Sequence, residues 1–180
     1  MGKVQYRFDN HSIETKDLKN YKYLGKGHSG KVYLMPDGRV IKIFKDNKTC
    51  RDEYNIYKAV ERSHHFPKVH EIGDHCIIRE FVSGINLSDY LNPITLDHKF
   101  VRRIVNLTEE LKSLGFKKID MRFPHIFVQT NGDLMLIDPR ESFKTYTPYP
   151  KSFIIDLKEI GLYDRFIKIL REERPDINWS

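Results

Sequence analysis

Short apolar runs bounded by turn residues mark most of the first half of the chain, and apolar positions at helical spacing mark much of the second. Residues 1–20 are polar with scattered apolar positions and predict an arm or an edge strand. From Tyr21 onward, short runs rich in β-branched and aromatic residues predict strands. The first covers residues 21–24; two more, at 31–34 and 39–44, flank Pro36-Asp37-Gly38, a hairpin signal. A helix is expected over about 50–62, ending before Pro67, and another strand over 76–82, stopping at Ser83-Gly84. Phe100, Ile104, Leu107, Leu111 and Leu114 then share one helix face, with Gly115 placed to cap it. A polar loop leads to a strand at 126–128, an Asn131-Gly132 turn and a return strand at 134–137. Two short helices broken at Gly161 complete the pattern, lined by Phe153, Ile154, Leu157 and Ile160, then by Tyr163, Phe166, Ile167 and Leu170. Strands with one helix precede mostly helices around one hairpin. That order predicts an α+β protein in two lobes, residues 1–82 and 83–180.

Composition narrows the class. With 180 residues, 39% of them hydrophobic, the chain suits one soluble globular domain or two small lobes sharing a core, and it is too apolar for disorder. No apolar run approaches the roughly 18 residues of a membrane span, and residues 1–6 lack both a signal-peptide core and a myristoylation serine or threonine. No membrane partner is expected. Cys50 and Cys76 are too few for a disulfide framework, so a cytoplasmic setting is expected. The net charge of +6 is spread among acidic residues and predicts a solvated surface. Neither an aromatic-plus-glycine RNA motif nor a basic helix-turn-helix is visible, which argues against nucleic acid as a partner. His64, His65, His70 and His75 with Cys76 match no zinc spacing, and Cys76 heads an apolar strand as a core residue.

The chemistry concentrates in two places. Gly25-Lys26-Gly27-His28-Ser29-Gly30-Lys31-Val32 is a glycine loop of the kind that brings backbone N–H groups to a polyphosphate. A strand and a hairpin turn follow it, whereas a dinucleotide fold needs a helix there. A P-loop fails too, because Val32 stands where a metal-binding hydroxyl is required. Strand, glycine loop, strand is the remaining arrangement, G-x-G-x-x-G-x-V. A turn centred near Asp37 sets Lys42 opposite Val32, with Val40 and Lys42 on one face. That gives an apolar floor of Val32 and Val40 beside an ammonium, and Glu53 on the next helix can orient it. In the second hairpin, a two-residue Asn131-Gly132 turn pairs Ile126 with Ile137 and so His125 with Asp138. Asp120 lies in the loop before His125; like Asp138 it follows an isoleucine, where a carboxylate needs solvent, a metal or a cation.

With these residues the chain resembles the protein-kinase-like superfamily over about residues 21–160, and more closely its small atypical branches: RIO-like kinases, aminoglycoside phosphotransferases and short bacterial Ser/Thr kinases. The resemblance implies a two-lobed protein-kinase-like fold with a minimal C-terminal lobe. It makes Gly25, Gly27, Gly30, Val32, Val40 and Lys42 an ATP site, with Glu53 as the partner of Lys42. Glu80-Phe81-Val82-Ser83-Gly84 looks like the hinge, so Glu80 and Val82 would meet the base. Lys118-Ile119-Asp120-Met121-Arg122-Phe123-Pro124-His125 stands in the place of H-R-D-x-K-x-x-N. Asp120 would then be the catalytic aspartate, and Arg122 would neutralise the transferred phosphate. Ile137-Asp138-Pro139-Arg140 stands where D-F-G is expected, making Asp138 the main ligand of Mg²⁺ or Mn²⁺, with His125 in the place of the metal-binding asparagine. Asp156 would hold the backbone of that loop. The implied activity is ATP-dependent transfer of the γ-phosphate to a hydroxyl, as in a small Ser/Thr kinase. The acceptor would be a folded protein, a small hydroxyl compound or the protein itself, since no A-P-E segment is present. The changes at His125 and Pro139 keep open the alternative of an inactive kinase-fold protein that binds nucleotide or regulates.

Overall fold

The chain's structure, a computed structural model, describes residues 5–9, 11–139, 146, 147 and 149–179; Arg140 of the expected metal segment lies outside them. It is α+β and divides into two units, Met1–Val82 and Ser83–Ser180. The segment expected as an arm or edge strand is a hairpin of its own. Strands β1 (Gln5–Arg7) and β2 (Ser12–Glu14) pair antiparallel, and a 3-10 turn at Asp17–Asn20 follows.

The first unit is organised on a five-stranded sheet. Its strands are β3 (Lys22–Lys26), β4 (Gly30–Leu34), β5 (Val40–Phe44), β6 (Val69–Ile72) and β7 (Cys76–Arg79), in the order β3-β4-β5-β7-β6. Gly38 takes φ +84° in the turn before β5, and Asp37 Oδ1 accepts the Arg39 N–H at 3.0 Å. The register is the expected one, with Val32 opposite Lys42. Alternation then sorts β5 onto two faces. Ile41 packs with Ile13, Leu18, Met35, Cys76 and Ile78 under the N-terminal hairpin. Phe44 packs with Cys50 and Ile77 toward helix α1 (Asn47–Ala59). Fully burying each such aliphatic side chain stabilises by about 1.5–3 kcal/mol. Helix α1 begins earlier than expected, because Asp46 caps it by accepting the Thr49 N–H at 2.7 Å, and it ends at Ala59. Strand β6 was not expected: Val69-His70-Glu71-Ile72 has little apolar signal and exists by pairing with β7. Burial pushes the Cys50 thiol up to about 12 and the Cys76 thiol up to about 11, as suits two inert core residues.

The second unit holds β8 (Ile85–Asn86), α2 (Leu87–Tyr90), α3 (His98–Ser113), β9 (Ile126–Val128), β10 (Leu134–Leu136), α4 (Lys151–Glu159) and α5 (Tyr163–Glu173). Asp97 caps α3 by accepting the Phe100 N–H at 2.7 Å. At its other end Gly115 takes φ +85°; Phe116 N–H reaches Leu111 O at 3.0 Å and Gly115 N–H reaches Lys112 O at 2.9 Å, a Schellman closure. Gly161, at φ +71°, separates α4 from α5 as expected. No helix among the described residues is long and apolar enough to cross a membrane.

The second hairpin departs from expectation by one residue. Leu136 pairs with Ile126, and Ile137 N–H reaches His125 O at 2.9 Å, so His125 stands opposite Ile137, not Asp138. The cause is the turn. Gly132 N–H bonds Gln129 O at 2.8 Å and Gln129 N–H bonds Asp133 O at 2.8 Å, leaving three residues in the loop, with Gly132 at φ +85°. That is the turn-plus-bulge connection, which adds one residue to the tight Asn-Gly turn.

Candidate functional site

The expected site residues fall in two groups, one in each unit. In the first unit, Lys42 Nζ lies 2.9 Å and 2.8 Å from the two carboxylate oxygens of Glu53. Their side chains are 2% and 3% exposed. Strand β5 carries the lysine inward on the face that α1 covers, and α1 brings Glu53 down onto it. Phe44 lies under the ammonium at 4.9 Å. A buried cation is tolerated only with a partner this well matched.

The glycines flanking this pair differ in what holds them. A Cβ on Gly30 would lie 1.9 Å from Ile43 O, so Gly30 is required by the close approach of β5. A Cβ on Gly25 would meet nothing within 4 Å, so packing does not call for glycine there. Gly27 N–H closes the loop onto Gly30 O at 2.9 Å. Val40 is buried and Val32 half-buried. In the expected hinge, Glu80 is tied on both sides: its N–H reaches Lys68 O at 2.9 Å and its carboxylate accepts the Lys68 N–H at 3.0 Å. Val82 is buried and Phe81 exposed. Sequence reasoning passed over Arg79, a charge inside an apolar run. It is buried, donates to Glu80 O at 2.9 Å, and its Nε has no acceptor among the described residues.

In the second unit, burial alternates along residues 118–123: Ile119, Met121 and Phe123 are buried while Lys118, Asp120 and Arg122 are not. Asp120 Oδ1 accepts from Arg122 Nε at 3.2 Å and from Ser152 Oγ at 2.9 Å; Lys118 Nζ lies 3.9 Å from Oδ2. The side chain of Asp120 is 8% exposed. Ser152, on α4, had no signal in the sequence, since 32 residues separate it from Asp120. Asp156 Oδ2 accepts the Phe123 N–H at 2.8 Å, holding the loop backbone as the resemblance implies. Phe123 also meets Phe153 edge-on at 5.2 Å, which fixes α4 to the loop. His125 is half-buried at the end of the 3-10 turn Phe123–His125. Asp138 follows β10 at φ +54°, the one positive value among the described non-glycine residues. Such a left-handed residue costs of order 1 kcal/mol and concentrates at functional positions, though Asp bears it more easily than most.

Asp156 gives a pH test of this loop. Burial raises its carboxyl above the ordinary 3.8, and Glu159 adds to the rise; the Phe123 N–H, Arg122 and His125 pull it down. An acid with a raised folded value contributes stability that is complete below the unfolded value and lost as pH rises through the folded one. Asp156→Asn keeps an acceptor for Phe123 and removes the charge. Its melting temperature should therefore gain on wild type as pH rises above 3.8. A constant gap across that range would mean that the Asp156 carboxyl is not raised.

No family model matches the chain. The chain is 22% identical, over 147 residues, to the Bacillus subtilis (strain 168) protein named "Putative serine/threonine-protein kinase YrzF". The match covers 78% of this chain and 67% of that protein.

Proposed function

We propose that this chain is an ATP-dependent phosphotransferase of the Ser/Thr-kinase kind, moving the γ-phosphate to a hydroxyl. The observation that carries the reading is the buried Lys42–Glu53 pair, set opposite Val32 on the strand that leaves the glycine loop. An ion pair this buried contributes little to stability by itself, so a lysine kept there and oriented from both carboxylate oxygens fits a phosphate-binding role. Gly25, with open space above it, fits a backbone approached by phosphate. The similarity to a protein named as a kinase points the same way.

In this reading Lys42 and the N–H groups of Gly25–Gly30 hold the phosphates, while Val32, Val40 and the Glu80–Val82 backbone hold the base. Asp120 takes the proton of the acceptor hydroxyl, and Arg122 meets the transferred phosphate. The Asp138 carboxylate suits Mg²⁺; the His125 imidazole would suit Mn²⁺ better, although the one-residue register shift removes the direct pairing of His125 with Asp138. When bound, the metal shields the phosphate charge. A folded protein, a small hydroxyl compound or the chain itself is the acceptor. The second reading, nucleotide binding without transfer, is favoured by His125 standing where the family has asparagine.

Calorimetry and transfer of label from γ-labelled ATP, run on the same preparation, separate the two. Wild type should bind ATP and transfer label; Asp120→Asn should bind nearly as well and transfer at least about 100-fold more slowly. Binding without transfer in wild type selects the second reading. Absence of ATP and ADP binding defeats both.

A further inference from the structure

We propose that Ser152 is a phosphate acceptor of the chain itself, modified in cis beside Asp120; this rests on the phosphotransferase reading above. Ser152 Oγ donates to Asp120 Oδ1 at 2.9 Å, the reach a general base needs to the hydroxyl whose proton it takes. The contact is built into the unit. Phe153, the next residue, packs on Phe123 at 5.2 Å, and Asp156 on the same helix holds the Phe123 N–H at 2.8 Å. Asp120 is only 8% exposed, and Arg122 Nε lies on the same oxygen at 3.2 Å, so an outside hydroxyl that approached this oxygen would compete with Ser152. The serine already holds the acceptor's place.

The surroundings suit the product as well. Two cations flank the carboxylate that Ser152 touches, Arg122 Nε at 3.2 Å and Lys118 Nζ at 3.9 Å, and would offset part of a phosphate's charge. Ser152 is in the first turn of α4, and no side chain caps that helix at Pro150, so a phosphoserine would meet the positive end of the helix. In the step, Ser152 Oγ attacks the γ-phosphorus of ATP. The new O–P bond forms as the bond from that phosphorus to the β–γ bridging oxygen breaks, ADP leaves with the electron pair, and the hydroxyl proton passes to Asp120. The product carries a dianion against Asp120 and no hydroxyl proton, so a single phosphate per site is expected.

The test is to incubate the full chain with ATP and Mg²⁺ over a range of protein concentrations, then measure intact mass and map the modified peptide. ATP binding is measured by calorimetry on the same sample. The expected result is phosphate on Ser152 with a rate constant independent of protein concentration. Ser152→Thr should accept phosphate at the same position, and Asp120→Asn should slow the modification about 100-fold or more while still binding ATP. Phosphate found only at other residues, or transfer to an added acceptor with Ser152 unmodified, overturns the assignment and leaves the phosphotransferase reading in place. A rate constant that rises with protein concentration overturns the cis route. Failure to bind ATP removes both.

Discussion

Glu53→Ala should destabilise the first unit by about 3–5 kcal/mol, because it removes the carboxylate that holds a buried ammonium through both of its oxygens. Lys42 is 1% exposed and cannot swing to water without opening the contact between β5 and α1. Lys42→Met should cost a similar amount by taking from the buried Glu53 carboxylate the ammonium that donates to both of its oxygens. The double variant Lys42→Met/Glu53→Leu should recover most of the loss, since an apolar pair of similar volume needs no desolvation to be offset. Urea unfolding of the three variants gives the coupling directly. ATP binding separates structure from function: the double variant should be well folded and should bind ATP poorly. Single variants costing only the 0.2–1 kcal/mol of exposed pairs would show that the two side chains reach solvent. Tight ATP binding by the double variant would remove Lys42 from the nucleotide site.

Gly30→Ala and Gly25→Ala should have opposite effects, although both lie in one loop. An alanine at position 30 places its Cβ 1.9 Å from Ile43 O, 2.8 Å from Ile43 C and 3.0 Å from Phe44 Cα. All three are backbone atoms of the neighbouring strand, so β4 must draw away from β5 and loosen the ladder that carries Lys42. A cost of about 3 kcal/mol or more is expected, at or above the usual range for overpacking. At position 25 the added methyl meets no atom within 4 Å, so stability should stay within about 0.5 kcal/mol of wild type. ATP affinity should nevertheless fall, because the methyl enters the space a phosphate would use. Thermal melts and calorimetry on the two variants test this. Equal ATP affinity in Gly25→Ala and wild type would take Gly25 out of the site, and an unaltered melt for Gly30→Ala would contradict the close approach of β5.

The residues fixed by local rules were legible in advance. Pro36-Asp37-Gly38 between two apolar runs determined one register, and with it the pairing of Val32 and Lys42. Five apolar residues on one face and a closing glycine determined α3. Long-range or finely balanced features were not legible. Strand β6 owes its existence to β7, and its own residues alternate poorly. The second turn could close in two ways that differ by one residue, and the Asn-Gly pair fits both; the choice moved His125 from Asp138 to Ile137. Ser152 and Asp120 are joined by tertiary packing through Phe123 and Phe153, which no spacing along the chain encodes. Arg79 gave no local signal, since nothing along the chain tells that a lone charge in an apolar strand folds inward onto Glu80 O.

The aromatic contacts of the second unit extend beyond Phe123. Phe153 meets Phe166 at 5.3 Å, and Phe166 stacks on Trp179 at 6.0 Å with ring planes 12° apart. The chain has one tryptophan, and it is 3% exposed. Its emission therefore comes from a single, dry, aromatic environment, relayed through two rings to the segment that carries Asp120. Intrinsic fluorescence excited at the indole becomes a built-in optical reporter on the packing behind that carboxylate, requiring no dye and no added label. The ten tyrosines, spread over the chain, provide a separate signal from the same sample.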